Sequence, residues 1–380
     1  MCYTTSMAVQ SIKLDVNKSV FSWAINRAGF TINDVVKLFP KFMQWETGEV
    51  SPTAKQLKDF SQKFHFPFGY FFLNTIPQQP AIIPMFRSFE EATVLDDFNV
   101  HELVKLLAER QDWVSEYLKE NGADKNAAVG LYKNENNVKN IKNGILSFFN
   151  LEDGWQFAFK KPEDAIRHIV SLLEENNIFV TFNSVVNFDA HRPVPVNLCR
   201  GFCLVDDYAP FIFINSSDSK KAQLFTLIHE IAHIFISFSS GYGDFGIEEF
   251  DNDKERLCDK IAAELLVPTE LFVNNAQTFS DEKLSAIYKV SEIVILRRKL
   301  DCGLIPKEVF FAMYNQLPKF QKNTSGGGDF YRVAPNRIGK KLLRCLNNAM
   351  VERKLTPIEA YHLAGVKGDV FTKLVTGVLA

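Results

Sequence analysis

The sequence predicts a mostly helical α+β chain with more than one domain. Its 380 residues exceed the usual size of one domain, so two or three domains are expected. Apolar residues recur at helical spacing along most of the chain, as Leu103, Leu107, Val114 and Leu118 do, whereas strand patterns occur only between residues 178 and 215. Because 46% of the residues are hydrophobic and 23% are charged, fibrous and fully disordered classes are excluded.

Short helices follow one another along the first 75 residues. The predicted helices span residues 18–28, 34–39, 41–46 and 54–64. Thr31 and Asn33 are favourable N-caps for the second of them, and Pro40 and Pro67 interrupt the helical pattern. Residues 76–100 contain several prolines and little periodicity, which indicates a linker or an extended arm.

The remaining chain combines long helices with one short stretch of strands. Further helices are predicted over residues 101–121, 134–150, 163–176, 219–238, 253–267, 281–300 and 306–316. Strands are predicted over residues 178–182, 201–205 and 210–215, and the last two form a hairpin. We expect one small antiparallel sheet, a glycine-rich break at residues 325–328 and a basic helical tail. The predicted segments are residues 1–75, 76–100, 101–320 and 321–380.

Charge and cysteine usage favour a cytoplasmic protein with basic ends. The sequence has no apolar run of the roughly 18 residues that a membrane helix needs and no signal-like start. Its six cysteines are scattered, so we expect reduced, buried thiols. Residues 1–75 carry a net charge of +3 and residues 331–380 of +6, against −11 between them. Such ends can contact nucleic acid or dock on the acidic middle, and charge alone leaves both open.

The clearest chemical signal is the His-Glu-x-x-His pattern formed by His229, Glu230 and His233. Histidines four residues apart on a helix project from one face, so both imidazoles can bind one metal ion. Imidazole suits zinc, and Glu230 beside it can accept a proton from the bound water. We therefore predict zinc ligands at His229 and His233 and a general base at Glu230. The competing interpretation is a helix with two structural histidines.

A catalytic zinc site with an open position needs a third protein ligand. The acidic residues that follow are Glu248, Glu249, Asp251, Asp253, Glu255, Asp259 and Glu264. Glu255 opens a predicted helix whose apolar face includes Ile261 and Leu265. A helix that crosses behind the zinc helix could present Glu255 to the metal, although spacing leaves the other carboxylates open.

These residues together resemble the ImmA/IrrE zinc metallopeptidases. The resemblance rests on Arg200-Gly201-Phe202 and on residues 210–215, 225–233 and 255–268. It implies a zincin-like fold and a metallo-endopeptidase of the gluzincin type, with zinc held by His229, His233 and Glu255 and with Glu230 as the catalytic base. Asp259 and Ile261 stand where the family more often has Asn and Phe. Neither departure is expected to touch a ligand.

The N-terminal residues are similar to the XRE-type helix-turn-helix module that is often fused to such peptidases. The matching residues are Trp45-Glu46, Gly48-Glu49, Pro52-Thr53, Gln56-Leu57 and the run 67–73. The resemblance implies DNA binding, in which Lys41 and Gln44 on the short recognition helix at residues 41–46 would contact bases or phosphates. Because a net charge of +3 is small for a DNA-binding domain, a module that binds a protein or packs on the peptidase is the alternative.

Two functions therefore compete. The resemblance implies a zinc-dependent endopeptidase that cleaves a regulatory protein, a repressor or an antitoxin, in a stress, mobile-element or toxin–antitoxin circuit. The alternative is a non-proteolytic DNA-binding transcriptional regulator or antitoxin that neutralises a partner by contact. The expected partners are a protein substrate or a toxin or repressor, with DNA at the N-terminal domain and no membrane. Tyr208 and Tyr242 are considered for stabilising an oxyanion.

Overall fold

The structure is a computed structural model that describes residues 14–28, 30–64, 66–75, 94–237, 252–316 and 329–379. Within these residues lie seventeen α-helices and five short strands, which confirms the predicted mostly helical α+β class. The described residues up to Phe98 belong to one compact unit and those from Asn99 onward to a second. Predictions outside the described residues concern linker residues 76–93, Glu248, Glu249, Asp251, Tyr242 and the break at 325–328.

Phenylalanines form the core of the first unit. Its elements are α1 (Ser19–Arg27), α2 (Ile32–Leu38), α3 (Phe42–Thr47), α4 (Ala54–Lys63) and a 3-10 helix (Phe68–Phe72). The Phe21 ring lies 5.8 Å from that of Phe42 and 5.1 Å from that of Phe60, both edge to face. Thr31 caps α2 as predicted, because its side chain accepts a hydrogen bond from the Asp34 amide. Buried Phe42 thus fixes the orientation of α3.

A long helix, α5, is hydrogen-bonded to the sheet of the second unit. The helices that precede the sheet are α5 (Val94–Glu120), α6 (Val138–Phe148), a 3-10 helix (Trp155–Ala158) and α7 (Pro162–Glu175). Helix α5 starts within the residues predicted as an arm, seven residues before the predicted helix start at 101. The buried Gln111 amide donates hydrogen bonds to the carbonyls of Leu204 and Ala209, both at 2.8 Å. Gln111 thus fixes α5 against the predicted hairpin.

The sheet is mixed, so the prediction of an antiparallel sheet is wrong for its first strand. The strands are β1 (Phe179–Asn183), β2 (Val185–Val186), β3 (Asp189–Pro193), β4 (Gly201–Leu204) and β5 (Phe211–Asn215). The main sheet has the order β1-β5-β4, in which β4 pairs antiparallel with β5 as predicted and β1 pairs parallel with it. All of β5 is buried, which suits a central strand, and the long connection after β1 permits the parallel crossover. Strands β2 and β3 form a separate antiparallel pair that the sequence analysis missed.

Two helices, α8 (Lys220–Ile236) and α9 (Asn252–Leu266), lie in the core of the second unit. Helix α8 packs against β4, β5, α7 and α9. Gly201 allows the close approach of β4, since a β-carbon there would lie 2.5 Å from Cγ2 of Thr226 and 2.9 Å from the Phe213 carbonyl oxygen. The position of α8 therefore depends on a residue without a side chain.

The helix predicted over residues 281–300 is two helices. The elements after α9 are α10 (Thr269–Ala276), α11 (Asp281–Tyr288), α12 (Glu292–Asp301) and α13 (Lys307–Tyr314). Lys289 interrupts the helix because it adopts the left-handed conformation, with φ of 60°, and Ser291 then caps α12.

The C-terminal residues of the second unit form four helices. They are α14 (Phe330–Ile338), α15 (Lys340–Val351), α16 (Pro357–Ala364) and α17 (Gly368–Leu379). Helix α14 packs against β1, and the Arg344 guanidinium lies 3.2 Å from the Glu174 carboxylate of α7. Part of the basic tail thus docks on the acidic middle of the chain. None of the described helices has the length and apolarity that a membrane span requires.

We expect Gly201→Ala to lower the free energy of unfolding by about 1 to 3 kcal/mol, because the new methyl group meets backbone as well as a side chain. Gly377→Ala is the matched control. Gly377 is an exposed residue of α17 with open space around its Cα, so this change should raise stability by about 0.5 to 1 kcal/mol. Urea unfolding measures both, and equal stability of the two variants would contradict the close approach.

Candidate metal centre

The crossing of α8 and α9 brings together the three residues predicted as metal ligands. One potential ligand atom from each of His229, His233 and Glu255 lies within 4.8 Å of the other two. The two imidazole Nε2 atoms are 2.9 Å apart. Glu255 Oε2 lies 3.3 Å from Nε2 of His229, and its Oε1 lies 3.5 Å from Nε2 of His233. The three side chains therefore converge on one point.

The spacing and chemistry of these donors fit a tetrahedral divalent ion. Bonds of 2.0 to 2.2 Å in a tetrahedron place neighbouring ligand atoms about 3.3 to 3.6 Å apart. Both distances that involve Glu255 agree with this value, and the pair of histidines is somewhat closer. Two imidazoles and a carboxylate suit zinc, and they also suit manganese and iron. Three protein ligands leave one position for water or substrate.

Apolar packing sets the position of both helices. His233 is fully buried within α8, and its neighbours Ala232 and Ile234 are fully buried too. On α9, Ile261 and Ala262 are fully buried, and they belong to the same core as α8. This packing places Glu255, in the first turn of α9, opposite the two histidines.

Asp259 contacts His229, so the expectation that it touches no ligand is wrong. Its Oδ1 lies 3.0 Å from Nδ1 of His229. A carboxylate at Nδ1 accepts a hydrogen bond from the N–H group of that nitrogen and leaves the Nε2 lone pair directed at the metal. Glu255 and Asp259 are four residues apart, so they share one face of α9. That spacing was visible in the sequence, and it could have identified Asp259 as the residue that positions His229.

The neighbouring carboxylates change the protonation of the metal-free site. Burial alone would lower the pKa of His229, but hydrogen bonds to Asp259 and Glu255 raise it to about 10. Burial opposes ionisation of Glu255, but its contacts with His229 and His233 hold the pKa of its carboxyl well below the usual value. These contacts favour the protonated form of the His229 imidazole, so metal binding has to compete with a proton.

Glu230 is buried beside the metal ligands, where only 3% of its surface is exposed. Burial raises the pKa of the Cys199 thiol, and the Glu230 carboxylate adds to that effect. Cys199 comes just before β4, so Glu230 lies near the residues that precede this strand. A carboxylate there can take a proton from a water molecule and deliver it to a group bound along β4.

Two of the other acidic candidates lie in different surroundings. Glu264 accepts a 2.7 Å hydrogen bond from buried Arg298 and a 2.5 Å hydrogen bond from the Thr269 hydroxyl. Its role is therefore to join α9 to α12. The Asp253 carboxylate is exposed, and it lies 3.6 Å from the Arg256 guanidinium.

The remaining predicted site residues are separate from this cluster. Tyr208 lies in the loop between β4 and β5, and Nζ of Lys119 lies 5.0 Å from the centre of its ring. Lys41 and Gln44 belong to the first unit, and both are exposed at α3 while Phe42 and Trp45 are buried. This exposure is what DNA contact requires, but no observation tests it, so DNA contact stays a prediction.

We expect Asp259→Ala to weaken zinc binding about 10- to 100-fold, because His229 loses the partner that orients it. Asp259→Asn is the matched control, since its side-chain oxygen can still accept the hydrogen bond. Competition with a chromophoric chelator gives both affinities. If the alanine variant binds zinc as tightly as the wild type, Asp259 does not position His229.

Comparison with known proteins identifies one domain. A comparison with curated proteins and one with solved structures each give no match. Residues 174–299, about a third of the chain, match the family model Peptidase_M78, which is described as the IrrE N-terminal-like domain. The matched residues run from the end of α7 into α12, so they include every member of the metal cluster. The N-terminal helix-turn-helix lies outside this match and stays a prediction. Residues 174–299, which include the metal cluster, are therefore similar to the IrrE N-terminal-like domain described by the Peptidase_M78 model.

Proposed function

We propose that the protein is a zinc-dependent endopeptidase that cleaves a specific regulatory protein. The observation that carries this proposal is the convergence of His229, His233 and Glu255 with Glu230 buried at their side. Metal binding alone does not require a carboxylate at residue 230. Hydrolysis does, because a proton has to move from the attacking water to the leaving nitrogen.

The side chains divide the chemistry among them. A divalent ion bound to the three ligands would polarise the scissile carbonyl and lower the pKa of a water molecule. Glu230 takes a proton from the attacking water and then donates it to the amide nitrogen as the C–N bond breaks. Asp259 keeps His229 in the orientation that metal binding needs, and the fully buried His233 is shielded from solvent.

Strand β4 supports a peptide substrate. It lies at one end of the strand order, and β5 is its only strand neighbour within the described part of the chain. Phe202, Cys203 and Leu204 are buried, so backbone hydrogen bonds to an extended peptide are available at the half-buried Gly201, where the strand begins. A peptide bound there would pass the start of β4, which is close to Cys199 and hence to Glu230.

The substrate class follows from the resemblance to ImmA/IrrE peptidases, which implies a repressor or an antitoxin. A regulatory protein also suits a chain whose peptidase-type domain is accompanied by a separate helical unit. The competing proposal is a non-proteolytic regulator that binds DNA or a partner protein, and the exposed Lys41 and Gln44 on α3 favour it. Proteolysis and DNA contact are compatible in one chain, so DNA binding does not decide between the two proposals. A substitution of Glu230 does, because it removes proteolysis alone.

We expect Glu230→Gln to lower cleavage about 10²- to 10⁴-fold while zinc remains bound, because the amide cannot accept the proton and the three ligands are unchanged. The assay incubates zinc-loaded protein with regulators and antitoxins encoded beside its gene, and mass spectrometry detects new N-termini. Lys41→Ala with Gln44→Ala is the control that should cleave normally. Cleavage by Glu230→Gln at the wild-type rate, or none by zinc-loaded wild type, would contradict the peptidase proposal.

A further inference from the structure

The second half of α8 contains few polar side chains, and they share one face of the helix. Along residues 224–236 the polar residues are Thr226, His229, Glu230 and His233, and all the others are apolar. Thr226 precedes the other three by three, four and seven residues, which is the spacing of one helix face. His229, Glu230 and His233 provide the metal ligands and the base. Thr226 is the polar residue of this face that the chemistry leaves unused.

Thr226 is half-buried and lies beside the start of β4. Its methyl carbon, Cγ2, would be 2.5 Å from a β-carbon at Gly201, so the two residues are in close contact. Gly201 is half-buried as well, and it is the residue of β4 at which an extended peptide can form backbone hydrogen bonds. A peptide bound at Gly201 would therefore lie next to Thr226.

The hydroxyl group of Thr226 makes no hydrogen bond within the residues that the structure describes. Threonines in helices often donate to the carbonyl four residues earlier, as Thr372 and Thr376 of α17 do at 3.1 and 2.9 Å. Thr226 does not. Because a hydroxyl offers one donor and two acceptor lone pairs, this side chain can form hydrogen bonds with a bound molecule.

Helix geometry sets the distance between Thr226 and the metal ligands. Three residues with a rise of 1.5 Å each place Thr226 about 4.5 Å from His229 along the helix axis. An extended peptide advances about 3.3 Å per residue. If the scissile carbonyl lies at the metal, the backbone of a residue one or two positions away reaches Thr226.

We propose that the Thr226 hydroxyl hydrogen-bonds the backbone of an extended peptide substrate, one or two residues from the scissile bond. This inference rests on the proposed peptidase function and adds a residue that orients the substrate in that site. Thr226 contacts the peptide backbone and transfers no proton in the reaction. The interaction is therefore independent of the side chain that the substrate carries at this position.

Two substitutions separate the hydroxyl group of Thr226 from its methyl group. Thr226→Val removes the hydroxyl and keeps the methyl that contacts Gly201, whereas Thr226→Ser keeps the hydroxyl and removes that methyl. We expect the valine variant to bind peptide about 2- to 10-fold more weakly, which is the effect of one neutral hydrogen bond. The serine variant should bind like the wild type. A role in packing alone predicts the opposite order.

Binding of hydroxamates to the zinc-loaded protein measures this effect without catalysis. Acetohydroxamic acid chelates the metal and extends no further. Trialanine with a C-terminal hydroxamate, and trialanine amide with an N-terminal succinyl hydroxamate, extend a peptide to either side of the metal. Isothermal titration calorimetry should show that at least one peptide probe binds the wild type more tightly than acetohydroxamic acid. Thr226→Val should lose affinity for that probe and bind acetohydroxamic acid as the wild type does.

Thr278→Val makes the same change at an exposed threonine outside the cluster, and it should bind every probe like the wild type. Zinc content and urea unfolding check that the variants are loaded and folded. The inference is overturned if the peptide probes bind no more tightly than acetohydroxamic acid, or if Thr226→Val binds them like the wild type. It is also overturned if Thr226→Val loses zinc, or if Thr226→Ser loses as much affinity as Thr226→Val.

The failure of this inference is distinguishable from the failure of the proposed function. If zinc-loaded wild type cleaves no regulator while Thr226→Val still weakens peptide binding, the peptidase proposal fails and the role of Thr226 stands. If the wild type cleaves a regulator and Thr226→Val binds the peptide probes normally, the peptidase proposal stands and the role of Thr226 is overturned.

Discussion

The contact between α8 and α9 is the constraint on which the candidate centre depends. It sets two imidazoles from one helix against two carboxylates, Glu255 and Asp259, from consecutive turns of the other. Buried charges are costly unless they are paired. The carboxylates therefore stabilise the protonated form of the imidazoles, and the imidazoles stabilise the ionised form of the carboxylates. His233 is fully buried, and the pKa values of His229 and Glu255 are shifted in opposite directions by this pairing. The contact between α8 and α9 therefore holds the donor cluster together.

The surrounding fold fixes that contact from both sides. Gly201 lets β4 lie close to Thr226, which is one helical turn before His229. The distance between the sheet and the two histidines therefore depends on this close approach. At the other end of α9, Glu264 is bound to Arg298 of α12 and to the Thr269 hydroxyl. This ion pair anchors the helix nine residues after Glu255. Residues outside the metal cluster thus set the distance between the ligands.

Much of this arrangement could be predicted from the sequence, because helical spacing is a local property. The histidine pair, Glu230 and the long helices follow from periodicity, and Glu255 was selected by its place on an apolar helix with support from resemblance. Asp259 was missed although it lies four residues after Glu255 on the same helix face, because its contact with His229 depends on how α9 crosses α8. The parallel pairing of β1 was missed because the sequence of neither strand shows which distant strand it pairs with or in which direction. The break at Lys289 was missed because a residue other than glycine in the left-handed conformation gives little local signal in the sequence.

The central claim is that α8 and α9 together form a three-ligand zinc site. Elemental analysis of protein purified without chelator, as wild type and as Glu255→Ala, tests it most directly. The account predicts nearly one zinc per chain in the wild type and clear loss of zinc in the variant, with both proteins folded. A wild type that takes up no metal even after zinc is added, or a variant that retains zinc fully, would contradict it.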